Sequence, residues 1–340
     1  MNSHGTSGKR GIQHPLTALA ALVLSSYWTE PELTIAAPET HTYAEVGGQP
    51  LKLDLYRTKE ESPAPLLIWI HGGAWRGGDR AHVPAPVREL PSEGVSVASL
   101  SYRLTSQAGR FGEEPVHWPA QRDDCKAAVR WLRANAEDLG LDPERFAVWG
   151  ASAGGHLAST LGLTNDAQGT TGEVGEHAEV SSAVSLAINF FGPTELFLMN
   201  QDVTEPPGSA IDHDALDSPE SLVLGARVHG HSLAEIRAHA EDPEEPWPAL
   251  LALARSASPV HAVVPEHAAP LFTAHGTRDR LIAFAQGERL HARLCELDLH
   301  STWRPVRGAG HGFKDDIYRE AIAWMKKLWK EEDETALDDR

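Results

Sequence analysis

Two cysteines in 340 residues, Cys125 and Cys295, are too few for a disulfide framework, and neither stands in a CxxC or metal-ligand spacing. Both fall in helix-like stretches and read as buried thiols. Positive charge is scarce too: 30 Lys and Arg against 48 Asp and Glu leave a formal net charge of -18. A field of that sign repels nucleic acid, anionic lipid and polyanionic substrates, which leaves small molecules or neutral polymers as partners. No apolar run is long enough to span a membrane. The 18 histidines include no HExxH or comparable pairing, so no metal is expected. Repeats and heptads are also missing. What remains, 340 residues at 41% hydrophobic content, suffices for one large α/β domain or one domain with an inserted cap.

Residues 1–40 differ from the rest. Lys9 and Arg10 precede a short apolar run, 16–24, and then Ser25 and Ser26, the layout of a secretory signal or of an ordered N-terminal arm. That layout favours a secreted or periplasmic location. From residue 41 the chain reads as strands. Leu51, Leu53 and Leu55 alternate with polar partners after a Gly47-Gly48 turn, which predicts a hairpin with one wet face. Continuous apolar runs at 66–70, 95–100, 146–149, 183–191 and 271–274 predict strands buried on both faces. Helical stretches at 120–136, 156–163, 283–297 and 317–329 alternate with them and with a strand at 301–306. The rhythm implies a mainly parallel sheet with helices on both faces. Residues 193–259, rich in Pro, Asp, Glu and His, interrupt it and read as a cap; Asp212, Asp214 and Asp217 there lack the glycine and terminal glutamate of a calcium loop. The main domain is expected over 41–330, with 331–340 a frayed acidic tail.

The stretch Gly150-Ala151-Ser152-Ala153-Gly154-Gly155 sits between a predicted strand and a predicted helix. A serine on so tight a turn is exposed above the sheet edge, provided that the residues two before and two after it carry no side chain. Ser152 is therefore the candidate nucleophile. A serine hydroxyl needs a base to take its proton, and His311, flanked by glycines after the last strand, is the best candidate. Asp279 is the best orienting acid, with Asp298 the runner-up and Asp315 and Asp316 too close to His311 in sequence. His71 and His275 also end strands and read as structural. The amides of Ala153 and of Gly73 or Ala74, in the glycine-rich loop His71-Gly72-Gly73-Ala74-Trp75, are candidate donors for an oxyanion. Trp75 and Trp118 are candidates to stack on an aromatic or sugar-like group, although core packing is the commoner fate of tryptophan.

Seven ordered motifs, HGGAW, GASAGG, PAQRDDCKAAVRWLRANA, DSPESLVLGA, SASPV, HGTRD and GAGHGF, together resemble the α/β-hydrolase esterase/lipase superfamily. More narrowly they resemble its feruloyl and acetyl-xylan esterase-like group. The resemblance implies the α/β-hydrolase fold and hydrolysis of carboxylic esters without a cofactor. It puts Ser152, Asp279 and His311 at the triad positions and Gly73, Ala74 and Ala153 at the oxyanion positions. Small acyl, aryl or polysaccharide-linked esters are the implied substrates. The long loop between Tyr102 and Pro119 and the segment 229–253 depart from the group's pattern. Two rival readings stand beside this one: an aryl formamidase using the same triad, and a catalytically silent domain that binds a small ligand.

Overall fold

Apolar side chains that alternate between two faces build the centre of the sheet. In the computed structural model, which describes residues 37–59, 63–112, 114–203 and 211–338, eight strands form one sheet in the order β1-β2-β4-β3-β5-β6-β7-β8. They are β1 (Glu39–Val46), β2 (Gln49–Tyr56), β3 (Ala64–Ile70), β4 (Ser96–Leu100), β5 (Leu141–Ala151), β6 (Leu186–Phe190), β7 (Leu271–Gly276) and β8 (Ser301–Val306). β1 and β2 run antiparallel to their neighbours, and every pairing from β4 to β8 is parallel. Leu66, Ile68 and Ile70 of β3 face one core while Leu67 and Trp69 face the other; Phe146 and Val148 of β5 part in the same way from Ala147 and Trp149. Burial on both faces explains why these strands read as unbroken apolar runs.

Helices Ala120–Ala134, Ala153–Thr164 and Phe284–Glu296 close the first core, and Ala85–Arg88 with Asp315–Asp338 close the second. Residues 219–256 carry four short helices, whose Val223, Leu233, Ile236 and Ala254 join the first core. The described part of the insert, the stretch 193–259, bonds to loops at the carboxyl ends of β4 and β7: Trp118 N–H donates to Val223 O, Arg227 to Thr105 O, and His213 to Leu281 O. Parallel sheets place their sites at that edge.

Two expectations about the ends change. The leader read over residues 1–40 lies, up to residue 36, outside the described residues, and β1 already begins at Glu39. The final helix does not stop at 329 but runs to Asp338, through most of the stretch read as a frayed tail. Lys327 with Glu331 and Lys330 with Glu334, pairs four residues apart, support the extra turns. Among the described residues no helix is long and apolar enough to cross a membrane.

Candidate active site

Ser152 sits between the end of β5 and the helix that starts at Ala153, with φ 57° and ψ -125°, a conformation side chains rarely adopt. Its surroundings enforce it. A Cβ on Gly150 would stand 2.2 Å from the carbonyl of Gly154, and one on Gly154 would stand 2.0 Å from Ile70 O. Glycine at 150 thus lets the helix fold back on the end of β5, and glycine at 154 lets it approach the end of β3. Ser152 N–H donates to Phe190 O at 2.9 Å, and Ser152 O accepts from His156 N–H at 3.0 Å. The side chain is thereby carried at the carboxyl edge of the sheet, partly open to solvent.

Asp279 and His311 leave the carboxyl ends of β7 and β8. His311 Nδ1–H donates to Asp279 Oδ2 at 2.7 Å; the carboxylate is 0% exposed and the imidazole 21%. Phe191, itself at φ 42°, packs its ring 4.5 Å from that of His311. Asp279 Oδ1 accepts from the N–H groups of Leu281 and Ile282. Burial alone would raise the Asp279 carboxyl, but hydrogen bonds from His275 and His311, and their charge, hold it well below the usual carboxylate range. The carboxylate therefore stays charged and fixes the proton of His311 on Nδ1, which leaves Nε2 as the basic nitrogen.

Topology separates the rival acids and bases. Asp298 precedes β8 and so lies at the amino end of a strand parallel to β5, across the sheet from Ser152. Asp315 and Asp316 are exposed at the start of the last helix. His71 is buried, stacks on Tyr102 and donates Nδ1–H to Gly72 O; desolvation lowers its affinity for a proton. His275 is also buried and donates Nε2–H to Ile282 O at 2.9 Å, with Asp279 Oδ2 3.5 Å away.

In the loop after β3, Gly73, Ala74 and Trp75 all have positive φ, at 115°, 55° and 53°. Gly73 O accepts from Arg76 and Gly77 N–H, which closes the turn. Among the described residues no loop or turn bond takes up the N–H of Gly73 or Ala74. Ala153 is the first residue of its helix, so its N–H has no partner within that helix. These amides suit an oxyanion.

Trp75 and Trp118, candidates to stack on a substrate group, instead meet the commoner fate of tryptophan and pack in the core. Trp75 is 1% exposed and Trp118 is 0% exposed. Trp75 Nε1–H donates to His156 Nδ1 at 3.2 Å and Trp118 Nε1–H to Ser256 Oγ at 3.0 Å. Both rings meet His156 edge-on, at 5.0 and 5.4 Å. His156 donates Nε2–H to Ala257 O, and burial pushes its pKa down to about 4, so the ring is neutral and accepts from Trp75. The glycine-rich loop, the loop before Pro119 and the insert thus meet at a histidine four residues after Ser152. Sequence reasoning passed over His156 because nothing but its helical spacing from the serine marks it.

Among the described residues no group of three or more His, Cys, Asp or Glu could hold a metal ion. Asp212 accepts from Asn200 and from Asp214 N–H, while Asp214 pairs with Arg237.

The model of the BD-FAE family matches residues 53–294. Esterase LipC of Mycobacterium tuberculosis is 30% identical over 266 residues, covering 77% of this chain and 56% of LipC. Esterase LipQ of the same organism is 27% identical, covering 73% of this chain and 50% of LipQ. The chain spans about half the length of these curated relatives. Among solved structures, a truncated carbohydrate esterase from gut microbiota superposes with a TM-score of 0.68 at 23% identity, covering 86% of this chain and 97% of that one. The thermophilic esterase Est2 of Thermogutta terrifontis superposes at 0.62 and 22% identity, covering 88% and 94%.

Proposed function

The chain belongs to the BD-FAE family and has the α/β-hydrolase fold, and on that premise we propose that it is a serine carboxylesterase using Ser152, His311 and Asp279. The observation that carries this reading is the 2.7 Å bond from His311 to a carboxylate with no solvent exposure, in a fold that also holds Ser152 on a strained turn at the same sheet edge.

Ser152 Oγ attacks the ester carbonyl carbon as its proton passes to Nε2 of His311. The carbonyl π pair moves to oxygen, where the amides of Gly73 or Ala74 and of Ala153 receive the negative charge. Asp279 stays ionised and stabilises the imidazolium. Collapse of the tetrahedral species breaks the bond to the alcohol oxygen, which leaves with the proton from His311. Water then attacks the acyl-enzyme with the same base, and the acid departs.

Small acyl esters are the substrate class that asks least of the site. Esters on sugars are a narrower choice, supported only by the carbohydrate esterase whose fold is similar. Hydrolysis of p-nitrophenyl acetate, butyrate and octanoate, methyl ferulate, acetylated xylan and N-formylkynurenine by wild type and Ser152→Ala tests the reading. Loss of the nucleophile is expected to cut turnover roughly a millionfold. A mutant as active as wild type removes Ser152 from the mechanism. Preference for the formamide over every ester would move the chain to amidase chemistry.

A further inference from the structure

The candidate acid is steadied from a side that the reaction scheme leaves unused. Ile282 N–H donates to Asp279 Oδ1 at 3.0 Å. The carbonyl of Leu281, in the same peptide unit, accepts Nε2–H of His213 at 3.1 Å, from a residue 68 positions earlier in the insert. A peptide unit is planar and its C=O and N–H point in opposite directions, so pinning one end aims the other. Hydrogen bonds in such a chain also polarise one another.

His213 is itself held. It is 1% exposed, and its Nδ1 stands 3.0 Å from Oε1 of Glu220, which is 2% exposed. Leu281 O takes the hydrogen of Nε2, and the Glu220 carboxylate, at ion-pair distance from Nδ1, favours a second hydrogen there. An imidazolium also compensates a buried carboxylate that would otherwise be strongly unfavourable. Nothing in the ester chemistry requires this second carboxylate-histidine pair, yet it lies one peptide unit from the first.

We propose that His213, oriented by Glu220, is a positioning residue for Asp279, acting through the Leu281-Ile282 peptide and so making the alignment of His311 depend on how the insert is seated. The inference rests on the reading of Asp279 as the orienting acid. Its test compares p-nitrophenyl acetate turnover by wild type, His213→Leu, His213→Gln and Glu220→Gln, each also in an Asp279→Asn background. His213→Leu is expected to lower kcat roughly 10-fold or more, with KM nearly unchanged, because small misplacements at a reacting centre cost rate and not binding. His213→Gln, which keeps a donor for Leu281 O, should recover much of the loss. In the Asp279→Asn background the His213 substitution should cost nothing further. The low-field proton of the His311-Asp279 bond, readable by NMR without turnover, should shift in His213→Leu and in the milder Glu220→Gln, which serves if the leucine variant does not fold. Unchanged kcat and resonance in folded variants, or an equal loss in the Asp279→Asn background, overturns the proposal and reduces His213 to packing. If Asp279→Asn alone leaves turnover intact, the reading of the acid fails and takes this inference with it.

Discussion

Gly154 shows how tightly the serine's seat is built. A Cβ there would meet the carbonyl oxygens of Ile70 and His71 at 2.0 and 2.8 Å, and these are backbone atoms of the neighbouring strand and its exit, with no rotamer to turn away. Gly154→Ala is expected to lose about 1–3 kcal/mol of stability, the usual cost of overpacking, and to lower turnover by moving Ser152 away from the loop after β3. Urea unfolding reads the first effect; an unchanged midpoint would mean the turn has slack. At this scale the sequence was informative where geometry follows from local rules. A glycine on each side of Ser152 announces a sharp turn, and Asp279 and His311 follow strands recognisable by their apolar runs. Asp298 could be set aside only by topology, since it is the parallel run from β5 to β8 that puts the amino end of β8 on the sheet edge opposite Ser152. The fate of Trp75 and Trp118 was hidden for a related reason: their partners, His156 and Ser256, are distant in the chain.

The helix Ala120–Ala134 shows a different gap between pattern and contact. Ala127, Ala128 and Leu132 supply its apolar side as periodicity predicts. Its cations look like a solvated face, yet Lys126 and Arg130 are buried and, with Arg133, grip the connection between Ser152's helix and β6. Lys126 Nζ donates to Asn165 O and Thr170 Oγ1, Arg130 to the carbonyls of Thr171 and Val174, and Arg133 to those of Ser181 and Ala183. Backbone carbonyls leave no mark in a sequence, so this clamp was not legible there. It explains how a long connection with little regular structure stays ordered. Arg133→Met strands the three carbonyls that it now satisfies, those of Pro143, Ser181 and Ala183, at roughly 1–3 kcal/mol for each one left buried and unpaired. Limited proteolysis is the direct check: new cleavage between residues 165 and 183 is expected in the variant and not in wild type, and an identical digest would assign the order of this segment to something else.

Across the whole molecule, two buried histidines bound the pH range of stability from opposite sides. His156 is desolvated and its pKa falls to about 4, while an unfolded histidine titrates near 6.5. Between those values the unfolded chain binds more protons, so stability falls as the pH drops from about 6.5 to 4, by on the order of 3 kcal/mol in total. Asp279, held low, adds its own loss only below about pH 4, where an unfolded aspartate begins to protonate. His213 has the other sign. Burial disfavours its charge, but the bond and charge of Glu220, with smaller help from Leu281 O and Asp214, raise its pKa. Its contribution is complete below about pH 6.5 and is lost as the pH rises through the raised folded value. Urea unfolding at intervals from pH 4 to 9 separates the two, because slopes report titration whatever the absolute stability of a variant. His156→Gln, a side chain that does not titrate, should flatten the acid limb and leave the alkaline limb alone. His213→Gln should do the reverse. If both variants keep the wild-type slopes, carboxylates and the net charge of -18 govern the pH dependence instead. If only His213→Gln changes its limb, and wild-type turnover falls across the same pH range while that of His213→Gln does not, the group that seats the insert also sets the alkaline limit of the chemistry.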